Sequence, residues 1–376
     1  VSKENSLYTA PPTQAFTRGT ENKLEQFLAK MEKATSALPV VDPEELQLAA
    51  DGTTKRGGFR YTSYGFRQVT QLICPGLSKM LVDLSGTIKR PNLDPKMYFP
   101  REAQYILNNA LDLRGGLLSS YRIIRNEDSK LIEGLIGAKH RTLENLDSYR
   151  QMRDAVESLT TDVEFYSGLV IGRQLTLWYR NKTPVFTIDT PKERVTYFPG
   201  YYFSNGEATG NSVRGTFAVY SRHGICLRPF KQSNRVTHIG RDFNIRLNKM
   251  FTSVLSEEIS ADKLEQGCND LLDTSLGYAD LDKQERKRRD KKLIRDMGNV
   301  GIPKRIAESV LGEALYVGSN EGSSVPPVYE LNAVFGTRTV YDLFAASLRA
   351  ARMLPANLRE KAEQSAYQIM TGKMEI

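Results

Sequence analysis

The sequence predicts an α+β protein in which helical N-terminal and C-terminal parts surround a central curved antiparallel β-sheet. Two observations lead there. Before residue 120 and after residue 240 the apolar residues recur at helical spacing. Between Val163 and Val219 they alternate instead, with turn signals at short intervals. Elements segregated along a chain in this way indicate α+β architecture. The chain divides into an N-terminal arm and helix (1–62), an α/β core with a basic, aromatic-rich sheet (63–240) and a helical C-terminal region (241–376).

In order, residues 1–20 are polar with Pro11-Pro12 and read as an extended arm. Glu21–Ala34 sets Leu24, Phe27, Leu28 and Met31 on one helical face, with Thr20 as N-cap. Val40–Ser63 reads as a loop with a short helical turn, after which Ser63 caps a helix carrying Phe66, Val69, Leu72 and Ile73, interrupted by Pro75-Gly76. Ala103–Leu113 is helical. Leu117–Ile124 and Leu135–Arg141 are strand-like, and Asn145–Leu159 is helical. Strands follow at 169–171, 175–179, 185–188, 195–198 and 216–220. Helices return at Phe243–Ser256, Asp262–Leu272, Lys304–Leu315, Tyr341–Met353 and Leu358–Met370.

Composition narrows the function classes. The 376 residues are 40% hydrophobic and 26% charged, ordinary values for a chain that buries a core. There is no run of 18 uncharged apolar residues, so a membrane-spanning helix is not expected, and Val1–Ser6 has no apolar stretch, so a secretory signal is not expected in the residues shown. Three widely spaced cysteines, Cys74, Cys226 and Cys268, suit a reducing compartment, and a cytoplasmic location in a bacterial host cell is expected.

Net charge is +8, but its distribution says more. Residues 171–250 hold 13 Lys/Arg against 4 Asp/Glu, together with 12 of the 34 aromatic residues. That window carries +9, so the remainder sums to −1. A basic, aromatic-rich region points to a polyanion, most simply nucleic acid.

Catalytic motifs are missing from the sequence. It contains no phosphate-binding loop, no dinucleotide fingerprint after a strand, no His-Glu-x-x-His, no Cys-x-x-Cys and no Gly-x-Ser-x-Gly. His223, Cys226 and His238 offer zinc-ligand types, but the spacing favours Cys226 as a core residue with the histidines touching solvent or phosphate, and no metal or other cofactor is expected. No enzyme activity is assigned.

The candidate site lies in the basic window. Tyr201, Tyr202 and Phe203 run consecutively, which on a strand puts Tyr201 and Phe203 on one face and Tyr202 on the other. Bases stack on such rings at about 1–3 kcal/mol each. Gly206 and Gly210 allow backbone N–H groups to approach phosphate. Arg214, Arg222, Arg228, Lys231, Arg235 and Arg241 follow and are the expected backbone contacts. Lys283–Lys292 is a second basic run, read either as a solvated helix face or as a grip on a nucleic-acid backbone. Met297–Lys304 vaguely resembles a helix-hairpin-helix turn.

Four segments carry a family likeness: Tyr64–Leu81, Ile136–Asn145, Gly200–Ser212 and Glu330–Val334. In order and type they resemble the phage- and plasmid-encoded YfjQ-like prophage proteins. The resemblance implies mobile-element biology such as replication, recombination or escape from restriction, and implies no reaction. Together these readings give a phage or plasmid single-stranded-DNA-binding or annealing protein, or a replication-recombination accessory, that forms homo-oligomers. An adaptor for a phage or host protein partner and an oligomeric phage structural protein are the alternatives.

Overall fold

A computed structural model describes residues 8–9, 13–39, 42–75, 100–137, 144–159, 162–191, 193–207, 212–238, 242–256, 260–278, 281–299, 304, 307–308, 310–311, 339–352, 354 and 356–371. The fold is α+β, with a large antiparallel sheet, a smaller mixed sheet, and helices toward both ends of the chain.

The large sheet contains β2 (Thr13–Thr17), β7 (Val163–Ile171), β8 (Gln174–Asn181), β9 (Phe186–Asp189), β10 (Arg194–Gly206), β11 (Val213–Tyr220), β12 (Ile225–Leu227) and β13 (Arg235–Val236). Its main path runs β12-β11-β10-β8-β7-β2, with β9 beside β10 and β13 beside β11. β10 is long enough to pair with β9 at its start and with β8 and β11 further on. A register shift between Phe165 and Ser167 bends β7 against β8, which is how a bulge adds curvature to a sheet. At the middle of β10, Gly200 lets three strands close up. A Cβ there would run into the Tyr179 carbonyl and the Tyr220 ring.

The small sheet runs β1-β4-β6-β5-β3. Its strands are β1 (Tyr8–Thr9), β3 (Thr35–Pro39), β4 (Arg60–Thr62), β5 (Tyr121–Asn126) and β6 (Leu131–Gly137). β4 lies parallel to both β1 and β6. Helices α2 (Ser63–Ile73) and α3 (Pro100–Arg114) cover one face, where Phe66, Val69, Leu107 and Leu111 meet Ile123 and Ile132.

Helices α1 (Glu21–Lys33), α4 (Asn145–Leu159) and α5 (Phe243–Leu255) cover one face of the large sheet through Leu24, Leu28, Met152, Leu247 and Phe251. Helices α6 (Ala261–Asp273), α7 (Lys283–Asn299), α8 (Val340–Ala351) and α9 (Ala356–Met370) build a further core against β9–β12. Each is amphipathic, so burying one apolar stripe holds it in place.

The structure departs from the sequence reading at several boundaries. Thr62, not Ser63, caps α2, its hydroxyl accepting the Gly65 N–H at 3.1 Å. Thr20 precedes α1, but its hydroxyl donates back to the Thr17 carbonyl at 2.6 Å. Residues 115–120 form a 3-10 turn, so the strand expected from Leu117 begins at Tyr121. The stretch 40–63, read as loop, ends in β4. The expected boundary at 62/63 does not follow the sheets. β2 joins the large sheet while β1, β3 and β4 join the small one, because each strand finds its partners far along the chain. Most of the helix expected at 304–315, and the turn beyond Asn299, lie outside the described residues.

Candidate nucleic-acid interface

The structure first separates the nine expected contact residues by burial. Alternation along β10 holds as read, but both faces are covered. Phe203 is 0% exposed and lies edge-on to Tyr179 and Phe251, at ring separations of 6.2 and 5.6 Å. Tyr202 is 3% exposed, edge-on to Trp178 at 5.6 Å and close to Phe230 at 5.7 Å. Its hydroxyl donates to Glu360 Oε2 at 3.0 Å. Tyr201 is half-buried and its hydroxyl donates to the Leu255 carbonyl at 3.4 Å. Tyr202 and Phe203 therefore have no open ring face for a base, and the stacking role is withdrawn from both. The reason is tertiary: α5 covers one face, and α9 with the 228–235 segment covers the other.

The arginines and lysine divide too. Arg214 makes two hydrogen bonds to Glu360, at 3.0 and 3.1 Å, and lies over the Phe230 ring at 4.9 Å. It is a structural clamp between β11 and α9. Arg222 is exposed but paired to Glu193 at 2.5 Å. Arg228 is half-buried, and its backbone bonds to Phe217 and Thr216. Lys231 and Arg235 are exposed on the segment leading into β13, with Arg235 over Phe230 at 5.6 Å. Arg241 lies outside the described residues. Elsewhere in the window, Arg180 pairs with Glu164 at 2.7 Å and sits over Tyr166 and Phe198, and Arg173 is buried. Six of the window's thirteen cations, Arg173, Arg180, Arg194, Arg214, Arg222 and Arg246, thus lie against carboxylates of the protein itself.

The zinc-ligand types do not converge. His223 Nδ1 lies 2.7 Å from an Arg349 nitrogen, Cys226 is in the core, and the His238 ring stacks on Phe243; both histidines are buried, so neither makes the solvent contact expected of it. Burial, with Arg349 and Arg222 nearby, pulls the His223 imidazole down to about 4. Among the described residues no group of His, Cys, Asp and Glu could hold a metal ion.

Helix α7 behaves differently. It carries eight Lys/Arg against three acids. The acids are occupied. Asp282 and Glu285 cap the helix reciprocally: Asp282 Oδ1 accepts the N–H groups of Gln284 and Glu285, and Glu285 Oε2 accepts that of Asp282. Asp290 accepts the Tyr278 hydroxyl at 2.6 Å, and Asp296 lies 3.7 Å from Arg295. The inner face docks through buried Leu293 and Met297, and Arg289 Nε donates to the Leu276 carbonyl at 3.0 Å.

What remains outside is a face of exposed cations, spread over about half of the helix circumference: Lys283, Lys287, Arg288, Lys291, Lys292 and Arg295. Twelve residues separate the first from the last, a span of about 18 Å along a helix. None of Lys287, Arg288, Lys291 and Lys292 is paired with a described acid. Like charges at i,i+4 and cations near a helix N-terminus each cost a few tenths of a kcal/mol. The cationic face is therefore not explained by the helix's own stability. These four residues belong to the run 283–292, which the sequence offered either as a solvated face or as a backbone grip without choosing between them. The signal that could have settled the choice was the Asp-x-x-Glu spacing at 282–285, which marks the acids of the run as caps.

Comparison with protein-family models, curated proteins and solved structures finds no match. Among the described residues no helix is long and apolar enough to cross a membrane.

Proposed function

We propose that this chain is a nucleic-acid-binding protein of a phage or plasmid, serving replication or recombination, that holds the sugar-phosphate backbone on the outer face of α7. The observation carrying this reading is the face of six exposed cations on a capped and docked helix, of whose acids Glu285 caps the helix, Asp290 holds Tyr278 and only Asp296 lies near one of the six, Arg295. Lys231 and Arg235 are the secondary contacts. The origin rests on the family resemblance alone. With Tyr202 and Phe203 inside, a preference for single strands rests on the ease with which a flexible backbone follows this face, not on base stacking at 201–203.

Nuclease-treated protein should be titrated against labelled single- and double-stranded oligonucleotides of equal length at low and moderate salt. Four phosphate contacts predict a loss of affinity of at least about tenfold over a fourfold rise in salt, because bound counterions are released. Binding to neither strand form at low salt overturns the reading. The cationic face would then be assigned to an acidic protein partner.

A further inference from the structure

Among the described residues, those that join the two sheets leave a charge imbalance in the interior. Arg173 lies in the tight turn between β7 and β8, after Gly172, whose φ of 53° is in the left-handed region. Its guanidinium crosses to the small sheet. Nε donates to Glu133 Oε2 on β6 at 2.5 Å, and one terminal nitrogen donates to the Thr35 hydroxyl at the start of β3. The other donates to Glu207 Oε2, just past β10, at 3.2 Å. The Glu207 N–H returns a bond to the Arg173 carbonyl at 3.0 Å.

Two carboxyl groups also sit on the first turn of α4. Glu207 Oε1 accepts the Asn145 N–H, and Glu32 Oε1, near the end of α1, accepts the Leu146 N–H at 2.8 Å. Asn205 Nδ2 donates to Asn145 Oδ1 at 2.9 Å. The side chains of Arg173, Glu133 and Glu207 are 2%, 1% and 4% exposed. Glu133 Oε1 and Asn145 Nδ2 are buried without a hydrogen-bond partner.

Among the described residues one guanidinium therefore serves two buried carboxyl groups, those of Glu133 and Glu207, while half-buried Glu32 has no described cation and Glu144 and Asp147 add negative charge from α4. A carboxylate held in a dry interior without its own cation takes up a proton instead. We infer that the junction between the two sheets is a proton-dependent lock, which holds at least one proton on Glu207 or Glu32 at neutral pH and loosens when that proton leaves.

Burial pushes the Glu207 carboxyl up to about 7, against the pull of Arg173. Burial likewise pushes Glu32 up to about 7, against its bond from Leu146. A carboxyl raised in the folded state contributes stability that is complete below its ordinary value of 4.5 and is lost as pH rises through about 7. Among the described residues, Glu363 and His223 are also shifted across the range tested. Glu363 on α9 is also pushed up to about 7 by burial beside Arg359, with the same sign. His223 has the opposite sign, its contribution being lost as pH falls from 6.5 toward 4.

The test compares urea midpoints between pH 5 and pH 8.5 for the wild-type protein, E207Q, E32Q and the double variant. The wild-type unfolding constant should rise across that range by at least about tenfold more than that of the double variant. Parallel curves would overturn the lock. Should the variants fail to fold, E363Q alone separates the outcomes by its infrared carboxylic-acid C=O band at pH 7. A band that persists in E363Q and disappears above pH 8 supports the proton at the junction, and no band at pH 7 overturns it.

Discussion

Two regions of this molecule carry dense positive charge, and they use it in opposite ways. In the central window several cations turn inward or sideways: Arg173 is buried against two glutamates, Arg214 clamps Glu360, and Arg180 and Arg222 are paired. On α7 the acids turn to capping and docking, and the cations are left facing out. Charge counted along a sequence is therefore not charge available to a ligand. What decides is whether each cation has a carboxylate within reach in the folded chain. The same contrast applies to rings, since the three consecutive aromatics in the window pack into cores while the exposed surface of α7 carries none.

The largest effect that sharpens this contrast falls on stability. Phe203→Ala removes a fully buried ring between Tyr179 and Phe251, and should cost about 3–5 kcal/mol in urea unfolding. Affinity per folded molecule should not change. A variant that stayed stable but bound nucleic acid poorly would return the stacking role to this strand.

Next is neutralisation of the cationic face of α7. Lys287, Arg288, Lys291 and Lys292 changed together to Gln should leave helix content intact and lower affinity by more than about tenfold at low salt. Arg214→Gln comes third. It leaves Glu360 and the Tyr202 hydroxyl with a broken clamp, which predicts about 1–3 kcal/mol of lost stability with affinity within about twofold of wild type. The smallest effect belongs to Lys231 and Arg235. Replacing both with Gln should reduce the salt dependence of binding by about one unit of slope per residue, with no change in urea midpoint.

How much of this was legible in the sequence depends on range. The spacing of Leu24, Leu28 and Met31 placed α1, and the pattern at 145–159 placed α4, because helices are set by neighbours three and four residues away. Period-two alternation correctly put Tyr201 and Phe203 on one face of β10. It said nothing of what covers that face, because the covering residue Phe251 and the clamp residue Glu360 lie 48 and 158 residues from Phe203 and Tyr202. The Thr13–Ile171 pairing that takes β2 into the large sheet was beyond reach for the same reason. So was the junction, where Arg173 meets Glu133 and Glu207 across 40 and 34 residues. The basic run on α7 was visible at once. Its availability became clear only when Asp282, Glu285 and Asp290 were seen to be occupied.

The most direct measurement is the slope of log affinity against log salt concentration, taken for the wild-type protein and for the fourfold α7 variant on the same single-stranded oligonucleotide. The account predicts that the variant's slope is shallower by about three to four times the slope of one phosphate contact. Equal slopes in the two proteins would contradict it, and would place the polyanion contact somewhere other than α7.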